Sequence, residues 1–137
     1  MTPYSIEQLA PDLLFIRWHG NPSNREGLQF AADLAAYYDA ADAPVYTLAD
    51  LSGGFISDMG VIAHLSGLSR HEHHGGGVTF GGDYRADVFV GMYERMAHPT
   101  DNRNWYPTIA EAIQELERRV PGVTAELNWD QVLAEPQ

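Results

Sequence analysis

The residues Arg70-His71-Glu72-His73-His74, followed by three glycines, gather the densest set of metal-ligating side chains in the sequence. Imidazole nitrogens and a carboxylate suit zinc, nickel or copper. On a helix His71 and His74 would share a face, and on a strand His71 and His73 would. His64 joins them only if the helix that carries it continues to His71. A metal centre needs three or four ligands in fixed geometry. A glycine-rich loop does not supply that, and the spacing matches no HExxH pattern. The expectation is a solvated polar loop with no metal and no cofactor. A metal-dependent enzyme built on His71, His73 and His74 stays as an alternative.

Three other constellations are weaker. Gly75-Gly76-Gly77 and Gly81-Gly82 flank a short apolar run, and a strand–glycine–helix junction can cradle phosphate. Here G-x-G-x-x-G is absent and Asp83 would put negative charge in the phosphate's place, so tight turns explain the glycines better. Ser52, Ser57, Ser66 and Ser69 lie near His64 without a G-x-S-x-G elbow. Trp18, Trp105, Tyr106 and Trp129 are read as core side chains, with Trp129 near the chain end as a candidate subunit contact.

Composition narrows the field. The 137 residues have a formal net charge of −11 and contain no cysteine. All eight basic residues are arginine. A thiol nucleophile, a cysteine zinc site, a lysine Schiff base and a P-loop lysine are thereby excluded. The acidic balance argues against nucleic acid and anionic lipid as partners. No apolar run approaches the ~20 residues of a membrane span. The opening residues lack the basic-then-apolar order of a signal peptide, so a soluble cytoplasmic protein is expected.

The elements that must position these residues follow from periodicity and caps. Tyr4 to Leu9 and Leu13 to His19 read as a hairpin around Ala10-Pro11-Asp12. Ser23-Asn24-Arg25-Glu26 is a capping box that starts a helix carrying Phe30, Leu34, Tyr37 and Tyr38. Val45 to Ala49 is a short strand, and Asp50 to Ser57 a loop. A helix is expected from Asp58 to Ser69, with Val61, Leu65 and Leu68 on its stripe. Val78-Thr79-Phe80 is a strand. Asp83 caps a third helix whose buried face is Val88, Phe89, Met92, Tyr93 and Met96, and His98-Pro99-Thr100-Asp101 ends it. After a short strand at Asn104-Trp105-Tyr106, Thr108-Ile109-Ala110-Glu111 caps a helix with Ile109, Ile113, Leu116 and Val120 inward. The clustering of Trp129, Val132 and Leu133 predicts one more turn or two. The order ββαβαβαβα requires crossovers, hence a single-domain α/β fold with a mixed sheet of about five strands and four helices.

The segment Asp50-Leu51-Ser52-Gly53-Gly54-Phe55-Ile56-Ser57-Asp58-Met59-Gly60 resembles the central motif of the STAS, or SpoIIAA-like, domains. In that family a buried strand ends in Asp-Leu-Ser, and a short loop leads to Asp-Ser-Ser-Gly at a helix start. The resemblance extends in weaker form through Trp18-His19-Gly20, Val78-Thr79-Phe80-Gly81 and Trp105-Tyr106-Pro107-Thr108, over about residues 1–120. Two departures stand out: Gly53-Gly54 lengthens the loop, and Asp58 occupies the slot of the serine that kinases modify in signalling members. A helix N-terminus tolerates a carboxylate or a phosphate there. Capping alone also explains the pair, with Ser57 as N-cap and Asp58 as a first-turn acid.

The resemblance implies a SpoIIAA-like domain over 1–120 with a C-terminal extension over 121–137. It implies a non-catalytic regulatory module that binds a protein partner through Asp50, Ser52, Ser57, Asp58, Gly60 and His64. The alternative is a small-molecule or lipid carrier like the related SEC14 branch. That reading needs a cavity of ~300 Å³ or more lined by Phe55, Ile62, Phe80 and Phe89. Helices packed mainly against one sheet face would leave the other face to be covered, which predicts a homodimer.

Overall fold

The computed structural model describes residues 2–97 and 104–134. Its elements run β1 (Tyr4–Ala10), β2 (Leu13–Trp18), α1 (Asn24–Ala40), β3 (Val45–Asp50), α2 (Met59–Ser66), a 3-10 turn (Gly67–Arg70), β4 (His74–Phe80), α3 (Tyr84–Ala97), β5 (Trp105–Tyr106), α4 (Ile109–Arg119) and α5 (Trp129–Ala134). The five strands form one mixed sheet in the order β1-β2-β3-β4-β5. Only β1 is antiparallel to its neighbour, as a hairpin requires; β2 to β5 are parallel.

Five of the six β2 side chains are buried, because this strand is covered on both faces. Leu14, Ile16 and Trp18 point to one core with Phe30, Leu34 and Tyr38 of α1. Leu13 and Phe15 point to the other, with Leu48, Val78, Ala112 and Leu116. Each buried apolar side chain of this size contributes ~1.5–3 kcal/mol.

Helices α1, α2 and α3 pack on the first face, whereas α4 and the chain beyond it cover the second. The expectation of helices mainly on one face is therefore corrected. Edge-on packing of Trp129 against Phe15, with ring centroids 5.9 Å apart, completes the second layer. Beside it Val123 is buried, and Val132 and Leu133 pack on the same core. Among the described residues both sheet faces carry helices, so an uncovered face does not supply the reason for the expected homodimer.

The caps follow the sequence with small changes. Ser23 and Glu26 make the full capping box. At α4 Thr108 Oγ1 accepts from the Glu111 amide, while Glu111 Oε1 accepts from the Thr108 hydroxyl rather than from its backbone. Asp83 accepts from the Arg85 amide at the start of α3. The inward residues of α3 are Ala86, Phe89, Val90 and Tyr93; Val88 and Met96 are 46% and 42% exposed, against expectation. The expected break at His98 to Asp101 lies outside the described residues.

Strand β4 begins four residues before the expected Val78. Its glycines are strand, not loop, because neighbouring side chains of β3 lie over them. A Cβ on Gly75 would meet the Tyr46 ring at 2.7 Å, and one on Gly77 would meet Thr47 Oγ1 at 2.1 Å. Gly75 is the extra residue of a bulge, since Val45 pairs with His74 and Tyr46 with Gly76, and Gly76 takes a φ of 120°.

Glu115 of α4 carries a pH signature. Arg118 Nε donates to it at 2.8 Å and Arg119 Nε at 2.6 Å, while Arg119 also reaches the Gly77 carbonyl at 3.3 Å and so ties α4 to β4. The hydrogen bond from Arg118, then that from Arg119, outweighs burial and lowers the carboxyl from its ordinary 4.5 to about 2. A lowered folded-state value means stability that is complete above about 4.5 and is lost as pH falls toward about 2. Glu115→Gln is expected to flatten the loss of stability over that window, measured as urea midpoints across acid pH. An unchanged slope would show that other carboxylates set it.

Candidate functional site

Helices α2 and α3 both start at the edge of the sheet where the parallel strands end, and the loop from Ser52 to Ser57 lies between them. Asp50 closes β3 and its Oδ1 accepts from the Ser52 amide at 2.9 Å, which turns the chain sharply. The loop then lies backbone against backbone on the β2–α1 connection. A Cβ on Gly53 would sit 2.2 Å from the Trp18 carbonyl oxygen, and one on Gly54 2.3 Å from the Gly20 carbonyl carbon. The Phe55 amide donates to Asn21 Oδ1 at 3.0 Å and fastens the far side. The two glycines that lengthen the motif are thus what allows this close approach.

Asp58, not Ser57, is the N-cap of α2. Its Oδ1 accepts from the Val61 amide at 2.9 Å, and Asn24 Nδ2 lies 3.4 Å away on α1. The helix therefore starts at Met59 and gives way to the 3-10 turn after Ser66, shorter than the expected 58–69. Ser52, Ser57, Asp58, Gly60 and His64 are all exposed, and Asp50 is half-buried. Ser66 and Ser69 donate to the Ala63 and Ser66 carbonyls and are spent on local turns.

The histidine cluster serves the start of β4. His71 Nδ1 accepts from the His73 amide at 3.0 Å, which leaves the ring proton on Nε2, 2.8 Å from Asp39 Oδ1. His73 Nδ1 donates to the Tyr38 carbonyl at 2.9 Å, and His74 Nδ1 pairs with the Tyr38 hydroxyl at 3.1 Å. One ring nitrogen of each histidine pairs with the end of α1, at Tyr38 or Asp39. Among the described residues, no three histidine or acidic side chains are placed to hold a metal ion.

Between the sheet and α1 to α3 lies a cavity of about 140 Å³. Phe55, Ile62 and Phe89 line it as expected, and the Phe55 and Phe89 rings lie 5.7 Å apart. Phe80 does not: alternation along β4 sends it to the opposite core and turns Thr79 inward instead. The volume is under half of what a carrier of lipid-sized cargo needs. Unfilled, an apolar space of this size costs on the order of 3 kcal/mol. Tyr93, expected on the buried face of α3, reaches the wall as well, as do Asn104 and Glu94, which nothing in the sequence pattern marks. Burial pushes the Tyr38 and Tyr93 hydroxyls above the usual phenol range, so both stay protonated.

No protein-family model matches the sequence, and no curated protein matches it. Solved structures do. The chain superimposes on the anti-sigma factor antagonist SpoIIAA in its unphosphorylated form with a TM-score of 0.59, covering 91% of this chain and 99% of that one at 12% identity. It has the SpoIIAA-like fold. Sheet order adds a chemical point. Among the described residues β2 to β5 run in sequential order with α1 to α3 on one face, without the strand-order reversal at which doubly wound folds hold dinucleotides.

The close approach at Gly54 makes a direct test. Gly54→Ala is expected to lower stability by about 1–3 kcal/mol through overpacking against Gly20, read from urea denaturation. A change below a few tenths would mean that the loop lifts away at little cost.

Proposed function

We propose that this chain is a non-catalytic regulatory module that binds a protein partner through the loop at Ser52–Ser57 and the starts of α2 and α3. The observation that carries this reading is a set of exposed apolar side chains at those two helix starts: Met59 is 43% exposed, Tyr84 74% and Val88 46%. Tyr84 and Val88 stand one turn apart on the same face of α3. Large exposed apolar groups ringed by polar ones mark contact surfaces more often than catalytic ones. Asp58 and Asp87 border it together with Asp83, whose carboxylate is paired with Arg85 at 2.9 Å, and the whole chain is at −11. The partner that fits presents an apolar patch bordered by arginine or lysine.

Asp58 gives this surface its permanent character. The carboxylate both caps α2 and places fixed negative charge where signalling members of the resembled family carry a modifiable serine. A constitutively acidic helix start supports a module whose binding needs no kinase. Ser57, exposed one residue earlier, remains the residue to monitor for modification.

The test is affinity recovery from the source cells with three baits: wild type, Tyr84→Ser/Val88→Asp, and Glu126→Arg as a control on the other sheet face. One stoichiometric partner with a basic surface is expected on wild type and control, falling about tenfold or more on the double variant, as for loss of interface anchors. Equal recovery by all three sinks the proposed surface. A dimer of this chain that the double variant abolishes would replace the foreign partner with a second copy.

A further inference from the structure

Nothing in the fold of the single chain accounts for the glycine at position 91. It lies in the middle of α3, where glycine costs a helix stability relative to alanine. Its φ is not positive, so no turn requires it. Among the described residues, a Cβ there would meet only the Arg95 guanidinium, at 3.5 Å, the far end of a flexible side chain. The contrast is Gly27 of α1, where a Cβ would meet Val61 at 2.7 Å and the close packing of α2 explains the glycine.

The charges beside Gly91 supply the second, independent observation. Asp87, Gly91 and Arg95 are spaced four apart and form one ridge along the solvent side of α3, opposite Ala86 and Tyr93. Asp87 and Arg95 are exposed, and neither makes an ion pair among the described residues. An acid and a base thus stand at equal distances on either side of the glycine. A two-fold axis through Gly91 that sets a second α3 antiparallel to the first brings Asp87 of each copy opposite Arg95 of the other, twice. Val88 and Met92, which flank the glycine, supply apolar contact; Val88 is 46% exposed.

We infer that the outer ridge of α3 is a self-complementary contact between two copies of this chain, crossing antiparallel at Gly91. The absent side chain lets the two helix backbones approach, and the paired charges fix the register. Ridges of this four-residue spacing interlock at a steep angle of about 50°, which keeps the contact short. Met59, Tyr84 and the loop at Ser52–Ser57 then stay open for the proposed partner. The contact is a helix face, not the sheet face from which a dimer was expected. A single helix crossing is at the small end of specific interfaces, so the dimer is weak and forms at high protein concentration. At about 0.15 M salt, repulsion between two chains of −11 is screened beyond ~8 Å, whereas the Asp87–Arg95 pairs act at contact.

The deciding experiment is sedimentation equilibrium of the purified chain at that salt, from micromolar to near-millimolar protein. A monomer–dimer equilibrium is expected. Gly91→Leu should weaken the dimer about tenfold or more while the helix itself gains from losing the glycine. Asp87→Arg and Arg95→Asp should each weaken it to a similar degree by setting like charges together. The combined exchange Asp87→Arg/Arg95→Asp should return the dissociation constant to within about threefold of wild type. A chain that stays monomeric throughout, a dimer indifferent to Gly91→Leu, or an exchange that fails to restore what the single changes lose each overturns the inference. If Gly91→Leu does not fold, the charge exchange is decisive by itself. Met59, Tyr84 and Val88 are untouched in all of these variants, so failure of this contact leaves the proposed partner surface standing.

Discussion

Burial of β2 on both faces is the constraint on which the rest of the structure depends. A strand with apolar side chains on both faces has no solvent side, so the sheet must be covered twice. Helices α1 to α3 arrive on one face because three successive right-handed crossovers between parallel strands deliver them there. The second face is left to the chain beyond β5. Helix α4 and Trp129 meet that need, and Glu117 secures the turn between them. Its carboxylate accepts from the amides of Gly122 and Thr124 and is held below the usual carboxylate range chiefly by the hydrogen bond from the Thr124 hydroxyl.

The same arrangement sets where chemistry and contact are possible. The parallel strands end together, so the starts of α2 and α3 and the loop between them share one edge. Close contact between that loop and the β2–α1 turn fixes its path, and the N-cap role of Asp58 fixes its charge. Exposed Met59, Tyr84 and Val88 stand at the starts of α2 and α3, beside this loop. The histidines, conspicuous as a string of ligands, are drawn into seating β4 against the end of α1.

Much of this was legible from local signals. Caps at Ser23, Asp83 and Thr108, turn chemistry at Pro11-Asp12 and the stripe through Ile109, Ile113 and Leu116 are short-range effects, and the structure follows them closely. The departures have a common cause. The glycines before Val78 look like a loop until Tyr46 and Thr47 are laid over them. Phe80 looks like a pocket residue until the β4 register assigns it to the other face. Val88 and Met96 look buried by helical period, yet α3 leans on the sheet through Ala86 and Val90. Each depends on a partner distant in sequence, which no window of ten residues contains.

By itself, the sequence determined the order of elements, the crossovers, the acid and glycines of the loop at Asp50 to Asp58, and the chemistries that a chain without cysteine or lysine cannot perform. These rest on residue type and near-neighbour spacing. Only the tertiary structure decided that both sheet faces are covered within one chain, that Asp58 rather than Ser57 caps α2, that the histidines bond to α1, and that Phe80 leaves the cavity wall to Thr79. Those outcomes depend on the strand register and on which helix packs over which strand, and both are settled by the summed burial of residues far apart in the chain.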